Sequence, residues 1–177
     1  MNVKFLNPFV EAAYEVFQIE TQIKVTLGEL TLEKEPYSSD DLTVIISLIG
    51  RVAGNVIYSM SELTALGLVS RMMGESITEL NGLAQSSIAE LGNVITGRAS
   101  MLLSRAGYES ILSTPTLLLG KGAVINTLDF ASLIVPLISE IGTVTIHIAL
   151  REGSQNIFNA SQTAMTSNVV GGNTFYE

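Results

Sequence analysis

The chain contains no cysteine and a single histidine, His147. Without cysteine there are no disulfides, no thiol nucleophile and no thiolate metal site. One imidazole excludes a multi-histidine metal centre and leaves a Ser-His-Asp triad only His147 to draw on. Positive charge is scarce too: nine Lys and Arg against seventeen Asp and Glu give a net charge of −8. A phosphate-backbone binder needs the opposite balance, so nucleic acid is not an expected partner. An acidic surface is drawn instead to a basic patch on another protein. No stretch reaches the ~18 uninterrupted apolar residues of a membrane span. The N-terminus has no charged segment followed by an apolar run, as a signal peptide would. The expectation is a cytoplasmic protein with no membrane partner.

What is present is a core. Hydrophobic residues make up 47% of the 177 positions and charged ones 15%, which is the composition of one globular domain. In "FLNPFVEAAYEVFQIE" (5–20) Phe9, Ala12, Ala13, Val16 and Phe17 follow helical spacing, with Pro8 in the first turn. "QIKVTLGELTLEK" (22–34) alternates as a strand does, with a slip at Gly28 that predicts a bulge. "LTVIISLIG" and "GNVIYSM" are β-branched runs that "GRVAG" joins as a hairpin. Ser61 and Glu62 open a short helix that stops at Gly74, and residues 76–106 read as a longer helix capped by Gly107. "SILSTPTLLLG", "GAVINTLDF", "ASLIVPLISEI" and "TVTIHIALRE" then read as strands, and Pro136 predicts that its own run is an edge or bulged strand. The order predicts an α+β fold: an antiparallel sheet of about six strands, helices on one face, and two helix-plus-three-strand halves that resemble a duplication. From Gly153 onward periodicity is lost. Residues 153–177 therefore read as a tail or linker after a domain spanning 1–152.

The longer helix carries two stripes. At ~100° per residue, Leu80, Ala84, Ile88, Leu91, Ile95, Ala99, Leu102 and Ala106 form an apolar stripe that must face the sheet. Ser86, Glu90, Asn93, Gly97, Ser100 and Ser104 form a second stripe on the opposite side. Solvated helix faces normally carry Lys, Arg, Glu and Gln. Here only Glu90 and Asn93 rise above a floor of Ser and Gly. Such a cleared face lets a macromolecule approach closely while a carboxylate and a carboxamide, three residues apart, project into it. An ordinary polar face is the competing reading of any Glu-x-x-Asn. Gly92 points nearer the apolar side, where helix-on-helix packing would use it.

"SSIAELGNVITGRASMLLSRAGYESILSTPTLLLG" resembles the active-site helix and following strand of the CheC/CheX family of chemotaxis phosphatases, most nearly the single-site CheX type. The family pattern is Asp or Ser, then Glu-x-x-Asn, then a proline about twenty-two residues on; Ser86, Glu90, Asn93 and Pro115 stand at those positions. The resemblance implies removal of phosphate from a phosphorylated, CheY-type response regulator. Asn93 would orient the attacking water and Glu90 would pair with the partner's active-site lysine. Ser86, Gly97 and Ser100 would be partner contacts. The protein would need no cofactor or metal of its own, Mg²⁺ being held by the partner. Homodimers through sheet edges are also implied. A non-catalytic adaptor of the same fold, binding a receiver domain or a flagellar motor component, is the alternative.

The first helix departs from two-site relatives. Its "VEAAYEV" offers Glu11 and Tyr14 where those carry Glu and Asn. A phenol lacks the paired donor and acceptor of a carboxamide, so no second site is expected and Tyr14 reads as a core or rim aromatic. His147, between Ile146 and Ile148 in a strand, should point off the apolar side, toward solvent or a hydrogen-bond partner. "GKGAV" (120–124) is a turn rather than a nucleotide fingerprint. Asp40 and Asp41 mark a turn and are too few for a metal site.

Overall fold

The computed structural model describes residues 3–127 and 131–153. A 3₁₀ turn (Val3–Phe5) leads into helix α1 (Leu6–Thr21), then short strands β1 (Thr26–Leu27), β2 (Thr31–Glu33) and β3 (Tyr37–Ser38). The long hairpin β4 (Leu42–Gly50) and β5 (Val52–Met60) leads into α2 (Glu62–Met73) and α3 (Gly82–Arg105). Strands β6 (Ser110–Leu112), β7 (Thr116–Leu119), β8 (Val124–Ile125), β9 (Ser132–Ser139) and β10 (Gly142–Glu152) follow. The proposed tail lies outside the described residues, apart from Gly153, whose N–H donates to the Arg51 carbonyl at 2.9 Å.

Among the described residues one antiparallel sheet runs β1/β2–β9–β10–β5–β4–β6/β7. Two broken strands share each edge, so eight strands fill the six expected positions. Each half of the chain lends its broken strand to the other. β1 and β2 pair with β9, whereas β6 and β7 pair with β4. Both edges are broken in the same way. Leu27 to Thr31 covers four steps where β9 takes three, from Leu137 to Ile134. Leu112 to Thr116 covers four where β4 takes three, from Leu48 to Ile45. One extra residue on each edge is a bulge, as Gly28 predicted for the first. The repeated bulge supports the duplicated reading of the two halves.

Pro136 does not put β9 on an edge, because β9 is flanked by β10 and by β1/β2. In a strand, a residue's N–H and C=O point to the same side. The Pro136 carbonyl accepts from Gly28 N–H at 2.8 Å, so its missing N–H falls at the bulge, where the ladder is already interrupted. The "GAVINTLDF" run contributes only β8, which pairs with β3 as a separate ribbon; residues 128–130 lie outside the described ones.

The helices cover one face. Alternate residues Leu42, Val44, Ile46 and Leu48 of β4, Val56, Tyr58 and Met60 of β5, and Val144, Ile146, Ile148 and Leu150 of β10 join one core with α1, α2 and α3. That is the period-two pattern of a half-covered strand. Part of the other face is buried as well, and Tyr37 of β3 packs against it. His147 points off the helix side as expected but is not solvent-facing, and it has no hydrogen bond among the described residues. It is 4% exposed, and the Tyr37 ring lies over it at 4.0 Å. Among the described residues neither ring nitrogen has a hydrogen-bond partner, and desolvation lowers its pKa to about 4. It is a neutral packing residue at neutral pH.

α2 matches its sequence signals. The Ser61 hydroxyl accepts from Thr64 N–H, and Gly74 ends the helix at φ 72°. α3 starts six residues later than expected, at Gly82, where the Asn81 side chain accepts from Ala84 N–H at 3.0 Å. Residues 75–81 cannot extend it, because the Ser70 hydroxyl holds Ile77 N–H at 2.9 Å. Its C-terminus closes as predicted: Tyr108 N–H bonds to Leu103 O and Gly107 N–H to Ser104 O, with Gly107 at φ 86°.

Candidate functional site

The site is built on α3, so its height above the sheet depends on what lies under that helix. Ala84, Ile88, Leu91, Ile95 and Ala99 are buried as expected, but Leu103 takes the buried place assigned to Leu102, while Leu80 and Ala106 fall outside the helix. Ser87, Gly92 and Thr96 are also buried, which widens the contact. Gly92 faces the sheet, not another helix: a Cβ there would sit 3.2 Å from the Tyr58 ring and 3.4 Å from Val44. The Tyr58 hydroxyl bonds to Thr96 Oγ1 at 2.7 Å, and Thr96 Oγ1 donates to the Gly92 carbonyl at 2.8 Å. Burial pushes the Tyr58 phenol's pKa upward, so it stays a neutral donor. A glycine and a satisfied hydroxyl pair therefore let α3 lie close and fixed.

The opposite face has clear margins. On one side the Ser100 hydroxyl meets Ser110 Oγ, at the start of β6, at 3.2 Å. On the other, Arg98 Nε donates to Glu15 Oε2 of α1 at 2.6 Å within an ion pair. Ser100 and Arg98 lie about 80° to either side of Glu90. Between these margins Ser86 and Glu90 are exposed, while Asn93 and Gly97 are half-buried. A Cβ built on Gly97 would meet nothing within 4 Å. The structure thus brings Ser86, Glu90, Asn93 and Gly97 onto one accessible strip, with Ser100 at its rim and already engaged. Glu90 and Asn93 touch: Asn93 Nδ2 donates to Glu90 Oε2 at 3.3 Å.

Pro115 lies in the break between β6 and β7, half-buried, on the edge strand against which α3 packs. The bulge there is closed by Ser113, whose N–H bonds to Ser47 O at 2.9 Å while its hydroxyl accepts from Ser47 N–H at 3.0 Å. Sequence reasoning missed Ser113, since a serine in "LSTP" reads as a plain turn residue. It also missed Leu83 and Met101, which stay 57% and 60% exposed. Both lie within about 20° of Glu90 around the helix; their place on that azimuth was the available signal.

Other candidates are accounted for by local contacts. Lys121 reaches Asp40 and Asp41 at 3.5 and 3.3 Å, and Asp41 Oδ2 accepts from Glu62 N–H at the start of α2. Among the described residues no three His, Cys, Asp or Glu side chains form a group that could hold a metal ion, and no helix is long and apolar enough to cross a membrane. Tyr14 is a rim aromatic, 38% exposed, beside Glu11 on the outer side of α1.

A family model described as "Chemotaxis phosphatase CheX" matches residues 42–137, which include α3 and Pro115. The CheY-P phosphatase CheX of Thermotoga maritima is 30% identical over 128 residues, 72% of this chain and 83% of that protein. A CheC-like superfamily protein from Shewanella sp. PV-4 superposes with a TM-score of 0.78 at 29% identity, covering 85% of this chain and 99% of that one. The CheX–CheY–BeF3–Mg²⁺ complex from Borrelia burgdorferi has a chain of the same fold, with a TM-score of 0.68 at 23% identity over 85% of this chain and all of that one (100%). A family match spanning more than half of the sequence, over the very segment that builds the open strip, means that this chain belongs to the CheX family of chemotaxis phosphatases.

Proposed function

We propose that this protein hydrolyses the aspartyl phosphate of a CheY-type response regulator, with the α3 strip entering the regulator's phosphorylation site. The observation that carries the reading is the accessible Glu90–Asn93 pair on a helix inside the family match. The Thermotoga relative is named as a CheY-P phosphatase, and the Borrelia complex pairs a CheX with CheY, BeF3 and Mg²⁺. There BeF3 has the size and charge distribution of a phosphoryl group.

Hydrolysis of an acyl phosphate makes few demands on this chain. Water oxygen forms a bond to phosphorus, the bond from phosphorus to the aspartyl oxygen breaks, and a carboxylate leaves. One proton of the water stays on the phosphate and the other passes to solvent. Such a transfer needs positioning and charge stabilisation more than a strong base, which suits a strip without Cys or His. The Asn93 Oδ1 accepts from the water and fixes its line of attack. One N–H of Asn93 remains to donate to a phosphate oxygen. Glu90 meets the regulator's active-site lysine and sets the register. Ser86 and Gly97 form the floor that permits close approach, and Ser100 contacts the partner from the rim. Mg²⁺ belongs to the regulator and neutralises phosphate oxygens there; this chain supplies no ligand to it.

The same reading makes residues 1–152 the phosphatase domain and 153–177 a tail, acting in the cytoplasm. It also includes a homodimer joined at sheet edges: Thr31, Leu32 and Glu33 of β2 are all exposed on such an edge. Light scattering at micromolar concentration tests the dimer. The activity is tested by following acyl phosphate loss from phosphorylated regulators with and without the protein. Acceleration that Asn93→Ala abolishes supports the reading. Binding without acceleration assigns an adaptor instead.

A further inference from the structure

We propose that Glu90 also determines which way round the Asn93 carboxamide sits, and so acts as a positioning residue for the water-orienting oxygen. The inference rests on the reading of Asn93 above. A carboxamide has two ends of nearly equal shape and opposite function, and the terminal torsion of an exposed asparagine is broad. Left alone, Asn93 would present its oxygen to the water in only part of its conformations.

Glu90 removes that ambiguity. An ionised carboxylate only accepts hydrogen bonds. The end of Asn93 that touches it must therefore be the NH₂ group, whatever the assignment of oxygen and nitrogen. The contact is Nδ2 to Oε2 at 3.3 Å, and among the described residues it is the hydrogen bond found for either side chain. With Nδ2 turned to Glu90, Oδ1 faces away from it. The floor on this face does not compete, because Gly97 has no side chain and open space above it. The spacing is equally firm: both residues stand on one helix, three apart, and α3 is seated by the Tyr58–Thr96–Gly92 chain of hydrogen bonds.

The two functions of Glu90 are compatible. A carboxylate offers about four lone-pair sites, enough for Asn93 and for an arriving ammonium group together. Exclusion of water on docking strengthens the internal bond. Charge and acceptor can then be separated by mutation. Glu90→Gln removes the charge and keeps an acceptor within reach of Nδ2. Glu90→Met removes both at similar length.

Both variants should raise KM for the phosphorylated regulator by similar factors, since both lose the charge. At saturating regulator, Glu90→Gln should keep kcat to within about twofold, because a glutamine pairs with either orientation and leaves the productive one populated about half of the time. Glu90→Met holds neither end, so the terminal torsion ranges freely and kcat should fall about tenfold or more, the scale of a misplaced catalytic group. The Asn93 side-chain NH₂ resonances should shift markedly in Glu90→Met and little in Glu90→Gln. Equal kcat in the two variants, or unchanged Asn93 resonances in Glu90→Met, overturns the inference while leaving the phosphatase reading intact. An Asn93→Ala protein as active as the parent overturns the reading beneath it.

Discussion

α1 and α3 occupy matching places in the two halves, each followed by a bulged edge strand that pairs with the other half. Their outer faces have diverged. α3 presents Glu90 and Asn93 over a floor that includes Gly97, with open space above it. α1 presents Glu11 and Tyr14, the tyrosine 38% exposed at the rim of an open groove shared with Gln18, Lys24 and Val25. Both places hold a helix that leads to a bulged edge strand; the side chains on their outer faces differ. A helix position alone therefore confers nothing. What distinguishes α3 is a carboxamide, a carboxylate hydrogen-bonded to it, and open space at Gly97 beside them.

The strongest challenge to that contrast is Asn93→Ala beside Tyr14→Ala. The first should reduce regulator dephosphorylation by about 10²–10³-fold, comparable to deleting one aligned polar group from an active site. The second should leave turnover within about twofold of the parent, as surface changes away from chemistry do. Parallel assays with one phosphorylated regulator check both. Strong loss in Tyr14→Ala would mean that the first half still takes part.

A smaller effect separates the halves at their junction. Directly across it, Ile57 of β5 faces His147 of β10, so the first half places a hydrocarbon where the second places an imidazole. Burial holds the His147 pKa at about 4, below the ordinary ~6.5 of an unfolded chain. The folded state thus resists a proton that the unfolded state takes up. Stability is full above about pH 6.5 and falls as pH drops toward 4, by about 2 kcal/mol between pH 7 and pH 5. Denaturant melts at the two pH values check this. His147→Leu should flatten the dependence.

The smallest expected effect sharpens the account of α3 itself. Gly97→Ala should stabilise the protein by about 0.5–1 kcal/mol, since alanine favours helix and Gly97 has free space. Gly92→Ala should gain less or lose stability, because its Cβ would press on Tyr58 at 3.2 Å. Thermal melts of the two variants, compared directly, test whether Gly92 is there for close packing and Gly97 for access.

Much of this was legible in the sequence, because the signals were local. Ser61 and Gly74 bound α2, Gly107 ends α3, and the Gly28 slip is a bulge. The two-stripe pattern put Glu90 and Asn93 on the accessible side. What was not legible depends on distant partners. Ile77 and Leu80 continue the helical spacing, yet the Ser70 hydroxyl captures Ile77 and Asn81 caps the helix later. Gly92 could be assigned to the buried side, but not to Tyr58, 34 residues earlier in sequence. The strand pattern sent His147 away from the helices, but nothing local foretold the β3–β8 ribbon that covers it. Pro136 predicted an edge or bulged strand; β9 is interior, and the bulge opposite the proline belongs to its neighbour, which only the pairing of distant strands reveals.

The exchange of edge strands has a consequence for how such a molecule could change over time. Because β1 and β2 complete the far side of the sheet and β6 and β7 the near side, neither segment is a self-sufficient building block; removing one uncovers the ladder of the other. Drift in the outward chemistry of one helix is therefore tolerated, whereas loss of that segment is not. A helix can change its outward side chains and still be indispensable as scaffolding.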